Sequence, residues 1–178
     1  MDRRTFLQAG LAGLIGAGGI GSGWAQATPE AIPKRILWVN RAQTKEEGRV
    51  LYYQDQNLVQ DGYYLLCYLL RDVQAEQITR MDLKLIDLLF AMQAWMRTCG
   101  IRQPLQIHSG YRTAQTHAHT EGAAPCSQHL SGKAVDLRVD GIPPAVLAKL
   151  AVRFKAGGVG VYPHFVHVDT GPVRVWKG

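Results

Sequence analysis

Two short stretches in the second half of the chain carry side chains that bind metals. His129 and Asp136 lie in the first, on either side of Gly132. The second lies near the C-terminus, where His167 is followed two positions later by Asp169. A neutral imidazole and a carboxylate are ordinary zinc ligands, and a catalytic zinc site takes three protein ligands plus water. His129, Asp136 and His167 could therefore hold one zinc ion, which would lower the pKa of a bound water towards neutrality.

The neighbours of these residues add to the argument. Asp136 lies within an apolar run, and His167 lies between Val166 and Val168. A carboxylate in such a run is costly to bury without a partner, and the two common partners are a metal and an arginine. Spacing alone leaves open a second interpretation, in which each residue is structural and binds no metal.

The elements that must position these residues follow from the hydrophobic pattern. Short alternating runs predict strands at 35–40, 49–54, 105–109, 134–139, 158–162, 165–169 and 173–176, the first two pairing as a hairpin. Helical spacing predicts helices at 63–70, 82–99 and 143–154. Met92 and Trp95 should lie in the core. The predicted fold class is α+β, with N-terminal helices packed on a small, mainly antiparallel sheet that carries the zinc site.

The first 27 residues differ from the rest and resemble a twin-arginine export signal. Arg3 and Arg4 precede a mildly apolar, glycine-rich run at 9–23, which closes with a small-x-small motif at 25–27. The alternative is a membrane anchor, but the run is shorter than the roughly 20 residues that a spanning helix needs. We expect cleavage, a single domain at 28–178 with no membrane span, and a periplasmic location.

The net charge limits the kinds of partner that the protein can bind. Removing Arg3, Arg4 and Asp2 with the signal changes the net charge from +6 to +5. This charge suits an anionic partner such as a cell-wall polymer, or it only keeps the protein soluble; export argues against nucleic acid.

The cysteines are Cys67, Cys99 and Cys126. They allow one disulfide with one thiol left over, and they form no Cys-x-x-Cys zinc motif. Cys67 lies in a predicted helix and suits its core.

Four ordered motifs resemble a known family. The pattern Ser-x-His-x-x-Gly-x-Ala-x-Asp at 127–136, followed by His-x-Asp at 167–169, resembles the zinc peptidases grouped with D-Ala-D-Ala metallopeptidases, lysostaphin-type enzymes and the hedgehog domain. Ser-Gly-Tyr-Arg at 109–112, with the glycine-rich stretch 157–163 and with 165–171, resembles the MepK-type (YcbK-type) subfamily of exported murein endopeptidases. The resemblance covers most of residues 35–176.

The resemblance implies a role for each site residue. His129, Asp136 and His167 fall on the family's zinc ligands. Arg112 falls on the arginine that could hold the developing oxyanion, although an ion pair with Asp136 or Asp169 is an alternative. Asp169 would orient a ligand imidazole from behind.

The general base and the preceding loop depart from the family pattern. Related enzymes place a Glu or His just before the last ligand, whereas this chain has His164 and no nearby Glu. His164 could take a proton from the zinc-bound water, or it could be an exposed loop histidine. His117 and His119 could form an accessory metal pair or a solvated loop, and Cys126 could be a stray ligand or a disulfide partner.

These observations predict a zinc-dependent hydrolase that cleaves peptide cross-links in peptidoglycan, as an endopeptidase or a carboxypeptidase. The alternative is a non-catalytic zinc-containing module that binds the cell wall or a protein, which the missing Glu keeps open. A third hypothesis is an exported structural domain without metal. The residues do not specify which cross-link would be cut.

Overall fold

The computed structural model describes residues 34–120 and 125–178, so the predicted export signal lies outside the described residues. The strands are β1 Arg35–Arg41, β2 Glu47–Gln54, β3 Asn57–Leu58, β4 Leu105–Ser109, β5 Ala134–Arg138, β6 Gly158–Val161, β7 Val166–Asp169 and β8 Arg174–Lys177. The helices are α1 Gln60–Leu69, α2 Leu83–Thr98, α3 Ala114–Ala118 and α4 Pro144–Phe154, with a 3-10 helix at Gln128–Ser131. The predicted strands, the hairpin and the three predicted helices are confirmed within a few residues at their ends.

The strands form one sheet in the order β3-β2-β1-β4-β5-β7-β6-β8. The β1–β4 and β6–β8 pairs are parallel, and the other pairings between the described strands are antiparallel. The α+β class is therefore confirmed. The expected arrangement of N-terminal helices on a small sheet is not supported. The first described elements are strands, and the parallel pairing of β1 with β4 joins the hairpin to the later strands in one eight-stranded sheet.

The helices and the sheet share one hydrophobic core. α1 packs on β2, α2 on β1, and α4 on β6 and β7. Each helix turns a stripe of apolar residues inward because such residues recur every three or four positions. Met92 and Cys67 are buried as predicted, but the prediction for Trp95 is wrong, because 44% of it is exposed. A helix-spaced aromatic residue can lie at the edge of the buried stripe, and periodicity does not separate that edge from its centre.

Strands β5 and β7 bring the predicted ligands together. These strands are antiparallel neighbours, and Asp136 lies directly opposite His167 in their register. Side chains opposite each other in a pair share one face of the sheet. Val135 and Leu137 lie on the other face, in the core, because successive side chains of a strand alternate.

Candidate metal centre

His129 is presented by the 3-10 helix. The Ser127 hydroxyl accepts a hydrogen bond from the backbone N–H of His129 at 3.4 Å. Gly132 ends the helix with a left-handed φ of 65°. A Cβ at Gly132 would lie 3.0 Å from the carbonyl oxygen of Arg80, so glycine is favoured here by both backbone conformation and space. The 3-10 helix therefore ends in a glycine turn, directly before the strand that carries Asp136.

A carbonyl fixes the orientation of the His129 ring. The Nδ1–H of His129 donates to the carbonyl oxygen of Gly110 at 2.6 Å, because a carbonyl can only accept. Nε2 therefore carries a lone pair, which faces Asp136 and His167. Gly110 passes so close to α1 that a Cβ there would lie 2.2 Å from the carbonyl oxygen of Leu70. Only glycine fits this approach.

A carboxylate fixes the second imidazole. The Nε2–H of His167 donates to Asp169 at 3.0 Å, which leaves Nδ1 directed at the cluster. Asp169 is fully buried. It also accepts from the backbone N–H groups of Gly158 and Gly171 at 2.9 and 2.8 Å and from Arg174 at 2.8 Å. Such a carboxylate behind a ligand imidazole fixes its tautomer and raises its basicity.

The three predicted ligand atoms lie close to one another. His129 Nε2 is 3.2 Å from both Asp136 Oδ1 and His167 Nδ1, and His167 Nδ1 is 2.9 Å from Asp136 Oδ1. Ligands about 2.0–2.1 Å from a tetrahedral zinc lie roughly 3.3 Å apart, close to these separations. With both imidazoles neutral, three lone pairs face one point with no proton between them. The donor set therefore fits a divalent metal. Among the described residues, no other group of His, Cys, Asp and Glu with this geometry is found.

Arg112 lies against the same cluster. Its Nη2 makes a very short ion pair with Asp136 Oδ2, and its Nε–H donates to Ser109 Oγ at 2.7 Å. Nη2 is also 3.4 Å from His129 Nε2. The ion-pair alternative for Arg112 and Asp136 is therefore present in the structure. It leaves Asp136 Oδ1 facing the two imidazoles, so one carboxylate can serve both an arginine and a metal.

The ionisation of the cluster follows from burial and contacts. Burial lowers the pKa of His129, which keeps its ring neutral. Burial also acts to lower the pKa of His167, but hydrogen bonds to Asp136 and Asp169 outweigh it and raise that pKa. For Asp136, burial favours the acid form, yet the two imidazoles bring its pKa far below the usual range. A metal that binds here must displace any proton held by His167.

The other predicted residues lie elsewhere. His164 is exposed in the turn between β6 and β7 and makes no hydrogen bond to the described residues. His117 lies on the short helix α3, with His119 at its C-terminal cap, so the expectation of a loop there is wrong. Thr113 begins this helix by accepting from the backbone N–H of Thr116, a local cap that composition did not reveal. The three cysteines are all free thiols, and Cys126 is exposed.

Sequence reasoning missed several residues around the cluster. Arg174 pairs with Asp169, and the ring of Trp176 lies 5.2 Å from that of His167. His108 on β4 stacks on Phe165, with ring centroids 6.4 Å apart. The position of His108, directly before the Ser-Gly-Tyr-Arg motif, was the one available signal for it.

A buried His-Asp-His cluster on an α+β sheet, with a carboxylate behind one imidazole, is the kind of site that metallopeptidases use. Comparison with known proteins agrees with this class. The family model of the peptidoglycan L,D-endopeptidase MepK matches residues 29–176. The chain is 35% identical over 175 residues to peptidoglycan L,D-endopeptidase MepK of Escherichia coli K12, covering 92% of this chain and 94% of that protein.

Two further relatives carry similar names. The MepK of Shigella flexneri gives the same identity and coverage. A probable peptidoglycan L,D-endopeptidase MepK of Haemophilus influenzae is 40% identical over 120 residues, covering 64% of this chain and 63% of that protein. The chain belongs to the MepK family, and it is a peptidase of the M15 metallopeptidases. In the described part of the chain, no helix has the length and apolarity needed to cross a membrane.

Proposed function

We propose that the protein is a zinc-dependent endopeptidase that hydrolyses peptide cross-links in peptidoglycan, at the L,D bonds for which its relatives are named. The observation that carries this proposal is the convergence of His129 Nε2, Asp136 Oδ1 and His167 Nδ1 within 3.2 Å of one another. Each imidazole is oriented by its own acceptor, which supports a ligand role over a purely structural one. Family membership supports both the class of reaction and the class of substrate.

Zinc held by two imidazoles and a carboxylate supplies a Lewis acid and lowers the pKa of water to near 7. The remaining chemistry belongs to the side chains around it. Arg112 presents a fixed positive charge beside Asp136, held in place by Ser109. We assign it to the negative charge that develops on the carbonyl oxygen of the scissile amide, because a fixed charge aimed at the transition state lowers its energy. Asp169 keeps His167 in the tautomer that can bind metal.

A base must take the proton from the attacking water. We assign this role to His164, the exposed imidazole in the β6–β7 turn. His108 is a second candidate on a specific observation: its Nε2 is buried without a hydrogen-bond partner, and it lies on the same strand as Ser109. Burial, followed by the charge of Arg138, lowers the pKa of His108, so its ring is neutral at pH 7 and can accept a proton.

We further infer that residues 1–27 direct export by the twin-arginine route and are removed, leaving 28–178 as a single catalytic domain in the periplasm. The twin arginine and the small-x-small motif support this. It places the enzyme in the compartment where its substrate lies. Processing can be measured by N-terminal sequencing of the protein recovered from the periplasm.

Digestion of purified cross-linked peptidoglycan tests the function. Wild-type protein with equimolar zinc is expected to release shorter muropeptides whose masses place the cut at the L,D cross-link, and His129→Ala should release none. Ser131→Ala serves as the matched control, since Ser131 is exposed on the same 3-10 helix. Zinc binding with no hydrolysis by the wild type would favour the non-catalytic binding module. Equal activity of wild type and His129→Ala would exclude the metal mechanism.

A further inference from the structure

A small polar pocket lies beside the metal cluster. Its volume is about 170 Å³, and Arg41, Asp72, His108, Ser109, Arg112 and Thr116 are among its lining residues. Arg112 and Ser109 belong to both sites, because Arg112 also contacts Asp136. A group bound in this pocket would therefore lie next to a peptide bound at the cluster.

Arg41 is the unusual member of the pocket wall. It ends β1, where it pairs with Ile107 of β4, and only 3% of its surface is exposed. Its Nε and Nη1 are fully buried and make no hydrogen bond. Neither hydrogen bond nor ion pair joins its guanidinium to any other residue in 34–120 or 125–178. Buried arginines are ordinarily paired, because an uncompensated charge costs several kcal/mol to bury.

The nearby carboxylates are already occupied. Asp72 Oδ2 accepts from the backbone N–H and the hydroxyl of Thr113 at 2.8 and 3.0 Å. Its Oδ1 accepts from the backbone N–H groups of Gln74 and Ala75. Asp72 thus anchors the chain after Arg112 and leaves Arg41 without a direct counter-ion.

A second carboxylate near Arg41 is also taken. Glu46 pairs with Arg71 at 2.9 Å and accepts from the Tyr68 hydroxyl at 2.6 Å. Burial, and then the charge of Arg71, lowers the pKa of Arg41 to about 10, so its guanidinium still carries a proton at neutral pH. The pocket therefore holds a guanidinium with no hydrogen-bond acceptor among the described residues, although the charges of Asp72 and Glu46 lie close enough to offset part of its own.

We propose that this pocket is a carboxylate subsite, in which Arg41, with Arg112 beside it, binds a free carboxylate of a peptide residue that flanks the scissile amide. The proposal rests on the proposed function and adds a substrate feature to it. A guanidinium matches a carboxylate because its planar N–H groups can donate two parallel hydrogen bonds. The pocket volume suits one such group rather than a whole ligand. Because Arg112 contacts Asp136 and also lines the pocket, we assign the carboxylate to the same peptide that the cluster binds.

A matched pair of peptides tests the subsite. Two synthetic cross-linked stem peptides are compared, one with the carboxylates flanking the scissile amide free and one in which they are carboxamides. Binding is measured by calorimetry on the zinc-loaded protein, and hydrolysis by product mass. Wild type should prefer the acid over the amide by roughly 10- to 100-fold in both Kd and kcat/KM, the range for a hydrogen bond to a charged group.

Variants assign the preference to Arg41. Arg41→Gln should lose the preference, with kcat/KM for the amide peptide within about threefold of wild type. Arg41→Lys keeps the charge without the planar donors and should retain only part of the preference. Arg153→Gln, an exposed arginine in the last turn of α4, is the control and should leave the preference unchanged. Melting of Arg41→Gln at or above the wild-type temperature is expected, because an unpaired buried charge is removed.

The outcomes separate the two claims. Equal affinity of wild type for acid and amide overturns the subsite, even if both peptides are cut. An equal loss of affinity and kcat/KM for both peptides in Arg41→Gln also overturns the subsite and shows that Arg41 has a structural role. If wild type binds the acid more tightly through Arg41 but cuts neither peptide, the subsite stands and the endopeptidase function fails.

Discussion

Replacing Asp169 with asparagine tests whether the Asp169 carboxylate orients the His167 ring for metal binding. The substitution keeps the shape of the side chain and removes the charge that accepts from His167 Nε2 at 3.0 Å. The new amide can present an N–H to the ring, which favours the wrong tautomer. Loss of such a partner typically lowers metal affinity 10- to 100-fold, which is about 1.4–2.7 kcal/mol. The metal-free fold should also lose roughly 1–3 kcal/mol, because Asp169 accepts from the buried backbone N–H of Gly158 and the partly buried one of Gly171.

Zinc titration against a competing fluorescent chelator measures the affinity, and urea unfolding of the metal-free protein measures the stability. Asp140→Asn is the control, because Asp140 is exposed beyond the end of β5 and its ion pair with Arg138 is long, at 3.5 Å. Wild-type zinc affinity in a folded Asp169→Asn variant would refute the idea that Asp169 orients His167.

Substitutions at four further places test residues around the cluster and one ion pair away from it. Gly110→Ala should destabilise the fold by more than 2 kcal/mol and weaken zinc binding, since its Cβ would lie 2.2 Å from a backbone oxygen; urea unfolding and zinc titration measure both. Arg112→Gln should lower kcat about 100-fold and leave the zinc affinity unchanged or increased, as measured by steady-state kinetics and zinc titration. Loss of zinc from this variant would contradict the prediction. His164→Ala should lower kcat at least 100-fold, whereas His108→Ala should lower it less than tenfold; the reverse order would move the base to His108. Contacts with an arginine, a threonine and a tyrosine lower the pKa of Glu46 from 4.5 to about 2, so it stabilises the fold above pH 4.5 and this contribution disappears as the pH falls through 2. Glu46→Gln should therefore cost about 1 kcal/mol at pH 7 and nothing well below pH 2, as measured by urea unfolding against pH.

Much of the local structure could be predicted from the sequence. The alternation in β5 and β7 and the helical spacing in α2 are local signals, and they predicted these elements within a few residues of their ends. The motif around His129 and Asp136 was enough to predict the candidate site, because a glycine turn and the strand after it fix both side chains within a short length of chain. The cross-strand position of His167 then required only that β5 and β7 be neighbours.

The rest depends on contacts between distant parts of the chain. Nothing local indicates that β1 pairs in parallel with β4, since the chain passes through α1 and α2 between them. The sequence therefore did not indicate that Arg41 lies near Arg112. The link between Asp72 and Thr113 joins residues 41 positions apart, and pattern reasoning cannot find it.

Zinc coordination by His129, Asp136 and His167 can be measured directly. We would measure zinc content and X-ray absorption of the purified protein, beside His129→Ala, Asp136→Ala and His167→Ala. We expect one zinc per chain in the wild type, with two imidazole nitrogens and a carboxylate oxygen at about 2.0–2.2 Å, and a loss of zinc in each variant. Zinc bound equally well by all three variants, or none bound by a folded wild type, would contradict it.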